Sequence, residues 1–261
     1  MRIGRIQNDY SAEGFDLVRD QGLSFVEICC NYDNEVEKLI AARENVKAQI
    51  ARTGIDVSSV GRWNHDLQAG GVIDPEKKER YFALLDTAIA LGAKTFVCGC
   101  NYDESISLYR NYQNMIGFFS ELIARADGRI RVATQNCSWN NFVVDPDQWS
   151  VIHGELPDLW IKYDASHAYN RHQDYLAHLS DWGTRVAHVH IKGTTHAGKN
   201  AVDDPPAGMD DIAWPSLFSI LYARGYNGDL SIEPHSRTWR GELGTAGVEY
   251  TRKFIQGFIL R

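Results

Sequence analysis

Short apolar runs alternate with longer segments of helical periodicity along the whole chain. The short runs are rich in β-branched and aromatic residues, which is typical of buried strands, whereas the segments between them repeat apolar residues every three or four positions. The pattern predicts eight strands, at residues 2–6, 25–30, 55–61, 94–99, 129–136, 159–164, 186–191 and 229–234. The clearest helical segments are residues 34–53, 75–92 and 112–128.

Proline and glycine mark the ends of these helices. Residues 75–92 open with Pro75 and end on Gly92, which are typical start and stop signals of a helix. Eight strand–helix units fit a (β/α)8 TIM barrel of about 250 residues, and we expect a single domain over residues 1–261. The alternative is an open doubly wound sheet, which needs a glycine-rich phosphate turn after the first strand. The chain has "QNDYSAEG" there, which is not such a turn.

Composition excludes several classes of function. The net charge of −7 argues against a nucleic-acid-binding protein, which normally carries a basic patch. The chain has no apolar run of the roughly 18 residues that a membrane span requires, and its beginning does not resemble a signal peptide. The five cysteines lie in apolar, strand-like segments, which favours reduced, buried thiols and a cytoplasmic protein.

Polar side chains follow four consecutive predicted strands, at the point where each strand ends. Gln135 ends the fifth strand, Asp164 the sixth, His190 the seventh and Glu233 the eighth. Because the carboxyl ends of barrel strands meet at one face, these side chains are expected to lie close together. An amide, two carboxylates and an imidazole suit a hard or borderline divalent cation. For Asp164 alone, a simple cap of the following turn is an equally good interpretation.

The same segments carry a resemblance to a known family. "YDASH", "HVHIKG" and "GMDDIAWPSLFSILYARGYNGDLSIEPH" resemble the xylose-isomerase-like TIM barrels, the sugar or sugar-phosphate isomerases and epimerases, and the resemblance is strongest over residues 159–235. It implies one divalent metal ion, with manganese preferred and magnesium, cobalt or zinc as alternatives. The implied ligands are Gln135, Asp164, His190 and Glu233. It also implies that His167, three residues after the aspartate, contacts the substrate and takes part in catalysis.

Gln135 departs from the family pattern, which has a glutamate at that position. A glutamine carbonyl can bind a metal but cannot accept a proton as a carboxylate does. Glu233 is then the remaining base, removing a proton next to the carbonyl of a keto-sugar and giving an enediolate. Reprotonation would make the enzyme an isomerase or epimerase, and loss of a β-substituent would make it a dehydratase or lyase. His167 and His65 are the candidate acids.

Residues after the other strands are candidates for substrate binding. Trp63 and Trp139 are expected to form walls of the pocket against a sugar ring, His65 to line its mouth, and Asn101 to hydrogen-bond a substrate hydroxyl. His188 shares the inward face of its strand with His190. Residues 193–211 form the longest segment without predicted structure, which suggests a substrate lid.

Four cations near this lid are candidates for an anionic group of the substrate or for ordinary solvated charge. They are Lys192, Lys199, Arg237 and Arg240. No glycine run that would cradle a phosphate accompanies them, so a neutral or carboxylated sugar is as consistent with the sequence as a phosphate ester.

Lys162 and Glu27 lie within apolar strands. Because a barrel interior rarely holds an unpaired charge, we predict that they form a buried ion pair. We expect a small carbohydrate as the binding partner, no nucleic acid and no membrane, with a homo-oligomer left open. Two alternatives from other classes are a non-catalytic sugar-binding or accessory subunit, because of Gln135, and a nuclease related to endonuclease IV. The nuclease is disfavoured because the segment after the seventh strand lacks an Asp-x-His.

Overall fold

The computed structural model describes residues 1–260, and its centre is a closed barrel of eight parallel strands. Around the barrel the strands run in the order β1, β12, β9, β8, β7, β6, β3 and β2. Their bounds are β1 Arg2–Ile6, β2 Phe25–Cys29, β3 Asp56–Arg62, β6 Thr95–Cys98, β7 Arg131–Gln135, β8 Trp160–Asp164, β9 Val186–Ile191 and β12 Asp229–Ile232. The predicted (β/α)8 TIM barrel is therefore confirmed.

Helices connect the barrel strands and cover the outside of the barrel. They are α1 Ala12–Asp20, α2 Asp33–Thr53, α3 Pro75–Ala90, α4 Leu108–Ala126, α5 Pro146–Glu155, α6 Ala165–Asn170, α7 Tyr175–Trp182, α8 Trp214–Ala223 and α9 Gly241–Gln256. Over residues 1–260, none of these helices has both the length and the apolar character that crossing a membrane requires.

Local sequence signals explain where the helices begin. The Asp74 side chain accepts hydrogen bonds from the backbone N–H groups of Glu76 and Lys77 at 2.9 and 3.2 Å, and Pro75 occupies the first helical position. The third predicted helix was placed too late in the chain. Helix α4 begins at Leu108, because the Ser107 hydroxyl caps it by accepting from the Arg110 N–H at 3.3 Å.

Two short antiparallel hairpins lie outside the barrel. Strands β4 Gln68–Ala69 and β5 Val72–Ile73 form the first, and β10 Thr195–Ala197 and β11 Asn200–Asp203 form the second. The second hairpin corrects the sequence prediction, which treated residues 193–211 as a segment without regular structure. Its turn contains Gly198 at φ 65°, a backbone conformation that suits glycine. The segment has no apolar periodicity from which the hairpin could have been predicted.

A network of charges closes the bottom of the barrel, where β1 meets β12. The Arg2 guanidinium donates to both carboxylate oxygens of Asp229 at 2.9 and 2.8 Å. The Ser58 hydroxyl and the Lys94 ammonium also donate to Asp229, at 2.7 and 3.1 Å. Burial on its own would raise the pKa of Asp229, but these partners lower it to about 2. The ionised carboxylate is therefore stabilised by the fold.

We expect Asp229→Asn to lower the free energy of unfolding by about 2 kcal/mol at pH 7. This is the stabilisation that corresponds to lowering the pKa of the Asp229 carboxyl to about 2 on folding. Because the depressed pKa stabilises the fold above the unfolded pKa and loses its effect as the pH falls towards 2, the difference from the native chain should shrink to roughly half near pH 3. Urea denaturation at the two pH values measures this.

The matched control is Asp158→Asn, on an exposed residue before β8. It should change the free energy of unfolding by less than about 0.5 kcal/mol at either pH. An equal loss in both variants would show that the network at the bottom of the barrel contributes nothing specific.

Candidate active site

Three predicted residues converge at the carboxyl end of the barrel. Asp164 ends β8, His190 lies in β9 and Glu233 follows β12, and these strands are neighbours. One ligand atom from each lies within 4.8 Å of the others. His190 Nδ1 is 3.3 Å from Glu233 Oε2 and 3.7 Å from Asp164 Oδ2. Gln135 ends β7, the next strand, and lines the same cavity as His190 and Glu233.

Asp164 has two separate tasks, one for each carboxylate oxygen. Its Oδ1 accepts hydrogen bonds from the Ser166 backbone N–H at 2.9 Å and hydroxyl at 2.6 Å, which caps α6. Its Oδ2 is buried without a hydrogen-bond partner and lies 3.5 Å from His167 Nε2. The cap predicted for Asp164 is therefore confirmed, while its second oxygen remains free to bind a metal, as the other interpretation predicts.

Glu27 fixes the orientation of His190 from below. The Glu27 side chain is fully buried on β2, and its Oε2 accepts hydrogen bonds from His190 Nε2 at 2.9 Å and from His188 Nε2 at 2.8 Å. With Nε2 of His190 occupied in this way, Nδ1 points at Glu233. A carboxylate behind an imidazole sets which ring nitrogen is available to a ligand or to a proton.

The predicted ion pair between Lys162 and Glu27 is confirmed. Lys162 Nζ lies 3.4 Å from Glu27 Oε1, and both side chains are almost completely buried. The ammonium also lies 3.8 Å from the centre of the Trp63 ring, a cation–π contact. Lys162 lines the cavity as well, so the pair forms part of the floor of the site.

Lys192 lies inside the site rather than at its edge. Its ammonium is 3.7 Å from Asp164 Oδ2 and 3.6 Å from Glu233 Oε2. Burial alone would raise the pKa of Glu233, but Lys192 and His190 hold that pKa well below its usual range. Burial lowers the pKa of His190, yet the carboxylates of Glu27 and Glu233 raise it to about 10.

The donor set fits a divalent cation. Asp164 Oδ2 is a buried carboxylate oxygen with no hydrogen bond, and burying such an atom is costly unless a cation compensates it. His190 Nδ1 and Glu233 Oε2 supply a nitrogen and a second oxygen at the same point. A metal there would replace the proton on His190 Nδ1 and would share the two carboxylates with the Lys192 ammonium.

These groups open into a cavity of about 540 Å³ at the barrel mouth. Of the residues predicted for the site, it is lined by Trp63, Gln135, Trp139, His167, His190, Lys192 and Glu233. Trp139 is half exposed and Trp63 is buried, so only Trp139 presents a broad face to solvent. Burial lowers the pKa of His167 to about 4, and its imidazole is therefore neutral at pH 7.

Two residues predicted to contact the substrate do not line the cavity, and both side chains make hydrogen bonds inside the protein. The Asn101 carbonyl accepts from the backbone N–H groups of Leu67 and Gln68 at 2.7 and 3.1 Å, and its amide donates to the Gln68 carbonyl at 2.9 Å. Asn101 thus joins the segment after β3 to the segment after β6. His188 has no exposed surface, and its Nε2 is engaged by Glu27 below the cavity.

Two further predicted residues lie near the site but outside the cavity. His65 lines a separate depression beside Asp33, with Nε2 3.6 Å from Asp33 Oδ1. Burial and the Arg62 charge lower the pKa of His65 to about 4. His65 therefore lies outside the cavity and does not carry the proton that a general acid needs at pH 7. Arg237 is exposed and lines a neighbouring groove.

Among the lining residues that the sequence prediction missed, three carry a thiol or an imidazole. They are Cys29, Cys137 and His235. His235 lies two residues beyond Glu233, and its position after a strand end could have suggested a role. Cys137 lies in the segment after β7 and is only half buried, which corrects the expectation that all the thiols are buried in strands.

Comparison with known proteins places the fold in a recognised group. A family model described as xylose isomerase-like TIM barrel matches residues 15–254. Among solved structures, the chain is similar to a 3-keto-D-glucoside 4-epimerase from E. coli, with a TM-score of 0.77, 18% identity and coverage of 98% of this chain and 99% of the other. No curated protein sequence matches it significantly.

Two further solved structures show the same barrel. The IOLI protein, solved with a zinc atom, has a TM-score of 0.81 and 12% identity, with both chains covered completely. A probable 3-DHS dehydratase from Bacillus anthracis has a TM-score of 0.76 and 11% identity, with coverage of 98% and 99%. At such identities these likenesses establish the fold alone.

The buried pair gives a prediction for stability. Lys162→Met leaves Glu27 without its ammonium, and we expect a loss of about 3 kcal/mol in the free energy of unfolding. In a Glu27→Gln background the same change should cost at least about 1 kcal/mol less, because no buried negative charge is left uncompensated. Denaturant unfolding of the four proteins completes this double-mutant cycle.

An exposed ion pair supplies the control. Lys47 contacts Glu44 on the surface of α2 at 3.1 Å, and Lys47→Met should cost less than about 0.5 kcal/mol. Additive effects of the Lys162 and Glu27 substitutions on the free energy of unfolding would contradict an energetic coupling between the two side chains.

Proposed function

We propose a function from the premise that the chain belongs to the xylose isomerase-like TIM barrel family, whose model matches residues 15–254. The protein is a metal-dependent isomerase or epimerase of a keto-sugar, and Glu233 removes the proton next to the carbonyl. The observation that carries this proposal is the convergence of Asp164, His190 and Glu233 at the mouth of the barrel.

Glu233 is the best placed base. Its side chain keeps 15% of its surface exposed to the cavity, whereas the Asp164 side chain keeps 3%. In the resting site, Lys192 and His190 keep its pKa low, which makes it a weak base. A substrate oxygen that takes a hydrogen bond from Lys192 would weaken this restraint and make Glu233 a better proton acceptor at that moment.

The metal ligands in this proposal are Asp164, His190, Glu233 and the carbonyl of Gln135. When bound, the ion supplies a Lewis acid that polarises the carbonyl of the substrate. Manganese is the preferred ion, with magnesium, cobalt and zinc as alternatives. The family membership and the zinc atom of the IOLI structure support metal dependence of some kind.

The other side chains of the cavity bind and orient the sugar. The neutral His167 imidazole hydrogen-bonds a hydroxyl next to the reacting carbon. Lys192, whose side chain is almost completely buried, donates to an oxygen on which negative charge develops. Trp139 provides an apolar face for the C–H groups of a ring. A keto-sugar is supported by the epimerase and its 3-keto-D-glucoside substrate among the similar structures.

A second candidate is a dehydratase or lyase that expels a substituent from a keto-sugar or an inosose. Gln135 favours it, because this position cannot supply the second base that a symmetric epimerisation uses. One base with a separate hydrogen-bond donor suits elimination. The similarity to a probable dehydratase is in line with this alternative.

Glu233→Gln tests the assigned base. With manganese present, we expect the exchange of substrate C–H for deuterium from solvent to fall by at least about 1,000-fold, since the amide cannot accept the proton. NMR on a panel of ketoses and inososes measures the exchange and also shows whether the product is an isomer or an unsaturated compound.

The control is Glu249→Gln, on the exposed side of α9, which should exchange at the rate of the native chain. Undiminished exchange by Glu233→Gln would exclude Glu233 as the base.

Metal binding is tested separately from catalysis. At a manganese concentration about 100-fold above the dissociation constant, binding should stabilise the fold by about 2.7 kcal/mol and raise Tm by roughly 5–10 °C. Asp164→Asn should abolish most of this rise while retaining an oxygen that can cap α6. Gln135→Glu should tighten binding, because it adds a carboxylate.

Calorimetry with manganese, magnesium, cobalt and zinc before and after chelation measures these effects. A Tm that none of the four ions changes would contradict the proposed metal site and would favour a non-catalytic sugar-binding protein.

A further inference from the structure

A second cavity adjoins the barrel mouth and plays no part in the chemistry described above. It has a volume of about 690 Å³, and we call it the rim groove. One wall is residues 201–204, on and after β11, and the other is residues 234–240, between β12 and α9. The rim groove is thus larger than the 540 Å³ cavity that contains the reacting groups.

The rim groove and the barrel mouth share a boundary at His235. His235 lines both cavities, and Glu233 lies only two residues before it. Two residues of chain span at most about 7 Å, so the part of the rim groove next to His235 lies close to Glu233. A molecule that reacts at Glu233 would reach the rim groove by extending past His235.

Hydrogen bonds hold the two walls in fixed positions. Asp203 accepts from the Ser236 hydroxyl at 2.5 Å, and Asp204 lies 3.1 Å from His235 Nδ1. The Ser236 hydroxyl in turn accepts from the Thr238 backbone N–H at 2.9 Å. The groove is consequently a preformed feature, and a ligand would not have to order both walls on binding.

The chemistry of the rim groove is that of a neutral, hydroxyl-rich ligand. Two carboxylates, of Asp203 and Asp204, and two guanidinium groups, of Arg237 and Arg240, line the groove, so their charges nearly balance and a strongly anionic ligand is not favoured. Within the described residues 1–260, the Arg237 guanidinium forms no ion pair. Guanidinium groups donate and carboxylates accept hydrogen bonds through planar pairs of atoms, so together they can bind adjacent hydroxyls of a ring in pairs.

Trp239 adds an apolar face to this polar groove. Its ring packs over Gly247 of α9, where an added Cβ would lie 3.2 Å from the ring. The glycine allows the indole to lie against the helix and remain half exposed at the groove. An amphipathic aromatic side chain beside paired donors and acceptors provides complementary contacts for the C–H face and the hydroxyls of a sugar ring.

We propose that the rim groove is a second saccharide subsite, and that the substrate is a keto-sugar joined to a further sugar ring. The keto ring occupies the barrel mouth beside Glu233, and the second ring lies on Trp239 within reach of Arg237. The identity of the reacting ring rests on the proposed function, whereas the second subsite rests on the geometry of the groove.

Deuterium exchange with two matched keto-sugars tests this substrate class. The manganese-loaded protein is given methyl 3-keto-β-D-glucopyranoside or 3-keto-cellobiose with the keto group on the non-reducing ring. We expect kcat/KM for exchange to be at least about tenfold higher for the disaccharide, which corresponds to one good set of contacts. Arg237→Ala and Trp239→Ala should each bring this ratio close to one, whereas Arg110→Ala, on the exposed face of α4, should leave it unchanged.

The outcomes separate the subsite from the reaction. Rapid exchange with a ratio near one, or a ratio that neither groove variant alters, overturns the subsite and leaves the proposed function intact. If neither compound exchanges, calorimetric binding of cellobiose and methyl β-D-glucoside decides. Tighter binding of cellobiose that Trp239→Ala removes supports the subsite without the proposed reaction, and equal binding of the two overturns it.

Discussion

The buried carboxylate of Glu27 is the constraint on which the candidate site depends. It has no contact with solvent, and a charge in that position is tolerated only when its partners compensate it. Lys162 of β8 and the two histidines of β9 provide that compensation from across the barrel interior. The same hydrogen bond that satisfies Glu27 holds the His190 ring with Nδ1 towards Glu233. The same network of charges therefore stabilises the interior of the barrel and orients His190 in the candidate site.

The fold could be predicted from the sequence because its signals are local. Strand β1 and strand β9 have the predicted bounds, since both are short segments rich in isoleucine or valine that end where the apolar pattern ends. The three converging side chains were also predictable, because the carboxyl ends of all parallel strands lie on one face of a barrel. The assignment depended on topology and not on any contact between residues distant in the chain.

Residues in the connecting segments could not be placed in the same way. Asn101 looked like a free amide beside the pocket, yet it satisfies backbone groups of a segment more than thirty residues earlier. His65 follows a strand but turns towards Asp33. Lys192 is the opposite case. It was predicted to contact the substrate at the rim, but its ammonium lies between the carboxylates of Asp164 and Glu233. Such partners depend on tertiary packing, which hydrophobic periodicity does not encode.

The divided role of Asp164 limits how this protein can diverge. One oxygen completes the first turn of α6 and the other lies beside His190 and Lys192, so a change to an apolar residue would harm the helix and, under the proposed function, the metal site together. A lineage that abandoned the reaction would still be under selection to keep an oxygen at this position for the sake of the helix. Retention of a side chain at position 164 in distant relatives is consequently poor evidence that they have kept the activity.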